Sequence, residues 1–295
     1  MRDQCASRTA EYMAFFRALE SLEPAGRRLF TDPYAFPLLA GPLRTFARIA
    51  RFPLAGSLVR TILDLGWPYT RSSGVVRTRA IDDLVSDAIR GGACQLVLLG
   101  AGFDSRAYRL PEARKVASFE VDHPATQKAK RKRLGAWAGQ LYANVQFVPV
   151  DFEKDDLEAR LIQAGFDRAI PTVVVWEGVI SYLTRSAVEG TLALLGRLLV
   201  PASQLIFSYV DKGALDGSRV FPGARRWKYW VRFSGEPFVF GFDPDTLPAT
   251  LRSFGFVLRS DESTEQTGQR YCAPMGRKEP GSQLYRVASA VRAEG

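Results

Sequence analysis

Residues able to do chemistry gather at the ends of short apolar runs. The first run, at 95–99, leads into Leu98-Leu99-Gly100-Ala101-Gly102-Phe103-Asp104-Ser105-Arg106. A strand ending in Gly-x-Gly before a helix lets a ligand approach the backbone closely at the first crossover of an open sheet. A full dinucleotide fingerprint would place a third glycine at position 105, where this chain has serine. Glu120 ends the second run, and Asp122 follows two residues later. Two apart on a strand, both carboxylates point to the same side. An acid there accepts the hydroxyl hydrogens of a ribose, in nicotinamide nucleotides and S-adenosylmethionine alike. Asp151 and Phe152 follow the third run, where a carboxylate and a ring hold an adenine; the same Asp151 would equally serve as a helix N-cap. Glu177, in Trp176-Glu-Gly-Val179, ends the fourth run and is placed to face a cationic group of a ligand. The Asp/Asn-Pro-Pro-aromatic run of enzymes that methylate base amino groups does not occur at this place.

These residues need strands that stop at one level and helices that return the chain. Apolar runs at 95–99, 116–121, 145–150, 172–176 and 204–210 alternate with helical segments near 123–138, 154–164 and 185–199. That rhythm predicts a parallel sheet covered by helices on both faces. The tail adds a helix at 243–254 and strands at 256–260 and 284–291, after an insertion at 211–240. Upstream, Tyr12, Phe15, Phe16 and Leu19 form one helical stripe, and prolines chop residues 24–68 into short helices and turns. A helix over 70–90 ends at Gly91-Gly92.

Composition narrows the chemistry. The chain has 295 residues, 46% hydrophobic and 24% charged, which excludes a disordered protein. One histidine, His123, and three cysteines, Cys5, Cys94 and Cys272, cannot assemble a zinc site or a disulfide framework. Any histidine-dependent triad would have to pass through His123, which reads more simply as a helix-start residue. The net charge of +9 lies mostly in residues 1–60 and 211–295. Of two basic clusters, Lys128–Arg133 reads as the solvated face of a helix. The other, Arg225, Arg226, Lys228 and Arg232 among Trp227, Tyr229 and Trp230, reads as an amphipathic helix or a lid. Arginines 48, 51, 60 and 197 interrupt the longest apolar stretches, so no membrane span is expected. The expectation is a cytoplasmic protein with no membrane partner.

Leu99–Arg106, Phe119-Glu-Val-Asp-His-Pro124 with Thr126-Gln127, Val150–Phe152 and Glu177-Gly-Val together resemble the leucine carboxyl methyltransferase-like family. This branch of the class I S-adenosylmethionine-dependent methyltransferases includes the enzyme esterifying a protein phosphatase's C-terminal leucine and tetracenomycin-type polyketide O-methyltransferases. The resemblance covers about residues 70–290. It implies an α/β, Rossmann-like, mostly parallel sheet at 70–295, with a helical N-terminal cap at 1–69 and an acceptor-side insertion near 211–240. It implies S-adenosyl-L-methionine as cofactor, with Arg79 on the methionine carboxylate and Glu177 near its ammonium. Gly100 and Gly102 form the cofactor turn, Asp122 with Glu120 beside it takes the ribose, and Asp151 with Phe152 takes the adenine. Arg106, Tyr108, Tyr182 and Tyr209 are candidates for the acceptor side. The expected reaction is methyl transfer to an oxygen of a small molecule. A carboxylate acceptor, already ionised, would suit a chain so poor in histidine. The alternatives are a nicotinamide-dependent oxidoreductase and a nucleic-acid methyltransferase or binding protein; the motifs demote both. The short chain and its different N-terminal region make a protein phosphatase partner unexpected.

Overall fold

A computed structural model describes residues 8–67, 69–135, 143–152, 155–223, 238–279 and 281–294. Helices α1 (Arg8–Ser21), α2 (Gly41–Ile49), α3 (Pro53–Gly66) and α4 (Thr70–Arg90) precede the first strand. Strands β1 (Gln95–Leu99), β2 (Ala117–Asp122), β3 (Val145–Pro149), β4 (Thr172–Trp176) and β5 (Gln204–Val210) follow. The short helix α5 (Arg106–Arg109) comes after β1, and α6 (Pro124–Leu134) joins β2 to β3. With β6 (Phe256–Ser263) and β7 (Tyr285–Arg292) the strands form one sheet in the order β3-β2-β1-β4-β5-β7-β6. Every pairing from β3 across to β5 is parallel, and β7 runs antiparallel to both neighbours. Strand order therefore reverses between β1 and β4, the topological switch point where open α/β sheets bind ligands.

The sequence dictates this placement through alternation. All five residues of β1 and of β4 are buried, as central strands covered on both faces must be. Leu96, Leu98, Val173 and Val175 enter one apolar cluster with Phe15, Phe16 and Leu19 of α1 and Val75, Ile81 and Val85 of α4. Val97, Leu99, Val174 and Trp176 enter the other, with Val188, Leu192 and Leu195 of the helix Arg185–Leu198. Residues of the N-terminal helices thus share a core with the sheet. Helix α4 stops where Gly92 takes φ +110 and the Gly92 and Ala93 N–H groups donate to Ile89 and Ala88 carbonyls, at 3.1 and 3.0 Å. That is a Schellman ending, available cheaply to glycine.

Several boundaries differ from expectation. β6 continues to Ser263, and a helix at Thr264–Cys272 follows that periodicity did not announce. The helix after β3 is Leu157–Gln163, capped by Asp156, whose side chain accepts from Ala159 N–H at 3.1 Å; Asp151 is not its N-cap. The basic aromatic segment 224–237 lies outside the described residues. No described helix is long and apolar enough to cross a membrane.

Candidate active site

The glycine turn is built by backbone geometry. Gly100 and Gly102 adopt φ +66 and +50, the left-handed region that side-chain-bearing residues avoid. A Cβ on Gly100 would overlap Val179 Cγ2, so the turn lies flush against the loop after β4. From the head of β2 the Asp122 carboxylate accepts the Gly102 N–H and, at 2.6 Å, the His123 N–H. Burial pushes the Asp122 carboxyl up, and the two N–H groups only partly counter it. His123 caps α6, its Nδ1 accepting from Ala125 N–H at 3.3 Å.

Beside the turn lies a buried ion network. Arg77 Nε donates to Glu177 Oε1 at 2.8 Å, and Arg106 Nη1 donates to Glu177 Oε2 at 2.6 Å. Arg106 also reaches Asp104 Oδ2 at 2.5 Å and Asp82 Oδ1 at 2.8 Å. Arg109 grips both Asp82 oxygens, at 2.6 and 2.7 Å, and Asp32 takes Arg17 at 2.8 Å and the Ser105 hydroxyl at 2.6 Å. Four arginines thus face four carboxylates, the arrangement that makes buried charge tolerable. Burial raises the Asp104 carboxyl, but Arg106 and then Arg17 outweigh it and hold it at about 2. Glu177 is likewise raised by burial and held below its ordinary range by Arg106 and Arg77. It stays ionised.

The structure redistributes several expected residues. Arg79 does not join this network: its Nε pairs with Asp83 at 3.0 Å and its Nη1 donates to the Leu29 carbonyl at 2.8 Å. Two positions on a helix are about 200° apart, so Arg77 and Arg79 leave opposite sides of α4. Arg77 shares its side with Gly74, which packs against Met13 of α1. That helical phase was the available signal for Arg77. Glu120 is fully buried, its oxygens taken by the Tyr108 hydroxyl at 2.5 Å and Lys130 Nζ at 2.7 Å. It lies within the sheet, while Asp122, about 6.6 Å further along the strand, reaches its end. Glu120 therefore cannot present itself to a ribose, and Tyr108, sealed with it, cannot face an acceptor.

Arg106 is spent on carboxylates, which corrects its place on the acceptor side. Tyr209 is also corrected: its hydroxyl donates to Asp261 at 2.7 Å and accepts from Arg286 at 3.1 Å. Burial first, then the Asp261 charge, push the Tyr209 hydroxyl far above its ordinary range. The Tyr182 hydroxyl lies 3.4 Å from that of Thr9 on α1, and its ring is edge-on to Phe238. The first helix closes over this region. Ala10 of α1 lies 3.0 Å from where a Gly102 Cβ would stand, and Met13 Sδ accepts from Arg77 Nη2 at 3.4 Å.

The residues that remain form a line. Asp151 and Phe152 follow β3, Asp122 ends β2, the glycine turn follows β1, and Glu177 with Arg77 follows β4. Phe152 packs half-buried on the second core cluster. These sites occupy four adjacent strand heads in the order β3-β2-β1-β4. Three steps of about 4.8 Å give a row of about 14 Å. The donor set fits S-adenosylmethionine in sequence: adenine, ribose, sulfonium and the amino-acid end.

The profile of the leucine carboxyl methyltransferase family matches residues 10–196. A protein of Mycobacterium sp. (strain JLS), assigned as an S-adenosyl-L-methionine-dependent methyltransferase, is 35% identical over 207 residues, 67% of this chain and 64% of the relative. A relative with the same assignment in Mycobacterium tuberculosis (strain ATCC 25618 / H37Rv) is 32% identical over 207 residues, covering 68% and 64%. The chain thus spans less than two thirds of these relatives' length. A structure from Thermobifida fusca YX, assigned as a methyltransferase, overlays with a TM-score of 0.61 at 16% identity, covering 95% of this chain and 94% of that one. An O-methyltransferase family protein from Burkholderia thailandensis gives a TM-score of 0.50 at 16% identity over 85% and 63% of the two chains. The fold is that of the class I methyltransferases, and with more than half its length matched by the family profile, this chain belongs to the leucine carboxyl methyltransferase family.

Proposed function

We propose that the protein is an S-adenosylmethionine-dependent methyltransferase acting on an oxygen of a small molecule, with a carboxylate as the favoured acceptor. The observation that carries this reading is the row of strand heads, whose order matches the order of the cofactor's parts. The bound cofactor supplies an electrophilic methyl group on a sulfonium. Asp151 and Phe152 hold the adenine, and Asp122 takes the ribose. Each Asp122 oxygen already accepts one backbone N–H and keeps a lone pair for a hydroxyl. Arg77, in place of Arg79, holds the methionine carboxylate, and Glu177 faces the ammonium. Arg106 acts through Glu177 as a positioning residue, keeping that carboxylate ionised and aimed.

The acceptor reading rests on proton chemistry. His123 caps a helix through Nδ1, and burial with the Asp261 charge keeps the Tyr209 hydroxyl protonated. A carboxylate acceptor needs no base because it is ionised at pH 7. The protein's task is then to align acceptor and methyl and to exclude water, for which α1 over the turn is suited.

Calorimetry with S-adenosylmethionine tests the site. Arg77→Ala and Asp122→Ala should each weaken binding by about tenfold or more, the worth of a charge-assisted hydrogen bond. Arg79→Ala should leave it unchanged. No binding by the pure protein would overturn the cofactor reading; loss in Arg79→Ala alone would overturn the choice of arginine. With a panel of carboxylic acids and phenols, methylation of acids at a rate flat from about pH 6 to 8 supports the carboxylate acceptor. Methylation of phenols only would refute it.

A further inference from the structure

Helices α2 and α3 present a bare apolar face. On α3, Leu54, Leu58, Ile62 and Leu65 recur at i, i+4, i+8 and i+11, a single stripe along the helix, and all are exposed. Phe46 on α2 and Phe52 at the elbow between the helices extend it. The opposite side of α3 is also apolar: Gly56 is buried against the Ala50 carbonyl, and Val59 and Leu63 pack on the main core. A surface helix ordinarily turns a polar face outward. Scattered exposed apolar residues need no explanation, whereas a contiguous patch marks a contact surface.

The surroundings of the stripe are cationic. Arg44, Arg48 and Arg51 are exposed along α2 and the elbow. Arg44 and Arg51 stand over the Phe36 ring at 5.5 and 4.5 Å. Nearby carboxylates are engaged elsewhere: Glu23 pairs with Arg60 at 3.1 Å, and Asp64 with Arg71 at 2.7 Å.

We propose that this face docks on the surface of an anionic phospholipid bilayer, with the arginines on headgroup phosphates and the α3 stripe at the acyl boundary. Amphipathic cationic helices bind membranes in this manner. A second copy of the chain brings no anionic group to these arginines, since the carboxylates nearby are already paired, whereas headgroup phosphates do. Shape favours lipid too. Exposure peaks at Phe52, 70%, and Leu54, 88%, on either side of the proline that opens α3. An elbow standing that far out suits insertion between lipids. At about 21 Å, α3 is long enough to lie along a bilayer and too short to cross one. This departs from the sequence expectation of no membrane partner, which rests on arginines interrupting the apolar stretches; the contact is made from outside.

Cosedimentation of the full chain with vesicles tests the proposal. Phosphatidylcholine vesicles containing phosphatidylglycerol should bind it about tenfold or more better than phosphatidylcholine alone, and added salt should weaken binding. The double variant Leu58→Glu/Ile62→Glu should abolish binding while retaining the circular dichroism and melting of the parent. Leu54→Glu, at the most exposed position, replaces it if the double variant misfolds. Arg48→Gln should weaken binding about fivefold. No binding to either vesicle, equal binding to both, or binding undiminished by the glutamate variants would overturn the proposal. So would a dimer in gel filtration that Ile62→Glu splits into monomers, which would make the face a self-interface.

Discussion

Arg106 shows how a residue named by a motif acquires a different task in the fold. Its position one residue past the turn suggested contact with an acceptor, yet its guanidinium bridges Asp82, Asp104 and Glu177 within hydrogen-bond distance. Pairing of this kind is decided by carboxylates from α4, the turn and the β4 loop, none adjacent in sequence. Removing the one cation would take from Asp104 its arginine and leave Glu177 and Asp82 with Arg77 and Arg109 alone. Arg106→Met is therefore expected to cost about 3–5 kcal/mol, the usual effect of breaking a buried ion pair from one side. Calorimetric unfolding should show a fall in Tm on the order of 5–10 °C. Arg106→Lys should not restore it, since an ammonium lacks the planar fork that serves three acids at once. Arg77 and Arg79 teach the same lesson on a smaller scale. Both lie in Val76-Arg-Thr-Arg-Ala80, and only the phase of α4 separates the one that meets Glu177 from the one that pairs with Asp83.

At the scale of elements, strands were legible because a strand buried on both faces reads as a continuous apolar run. Runs such as QLVLL and TVVVW appear where they were expected. The helix Thr264–Cys272 was not, because TEQTGQRYC carries no apolar stripe; its capping box, Ser263 with Gln266, was the sign available. Tyr209 sits on β5 and joins Arg286 of β7 and Asp261 of β6, so its hydroxyl ties three strands of the antiparallel edge together. Tyr209→Phe is expected to lower stability by about 1–2 kcal/mol in urea unfolding and to leave the proposed methyl transfer unchanged. A large loss of turnover at unaltered stability would return Tyr209 to the acceptor side.

Over the whole molecule, charge governs how stability responds to acid. Asp104, Glu177 and Asp32 have carboxyls held below their ordinary values by neighbouring arginines, against the effect of burial. Such groups stabilise the fold above the unfolded carboxylate pKa, and that contribution is lost as pH falls through the folded value. With Asp104 at about 2, its share alone is about 2 kcal/mol, vanishing between about pH 4 and 2. Glu120 and Asp122, raised by burial, act in the opposite sense and take up protons first. Urea midpoints should thus change little down to about pH 4 and drop steeply below it. A midpoint unchanged at pH 3 would mean that the network does not support the fold. The strand–helix alternation, the glycine turn, the acids at the strand ends and the family are legible in the sequence, because these are local patterns with short-range physical causes. The tertiary structure alone decided that Arg77 meets Glu177, that Lys130 seals Glu120 away, and that α3 shows solvent a second apolar face. Those outcomes depend on helix phase and on which distant segments supply the opposing charge or cover, and neither is written in the spacing of any one segment.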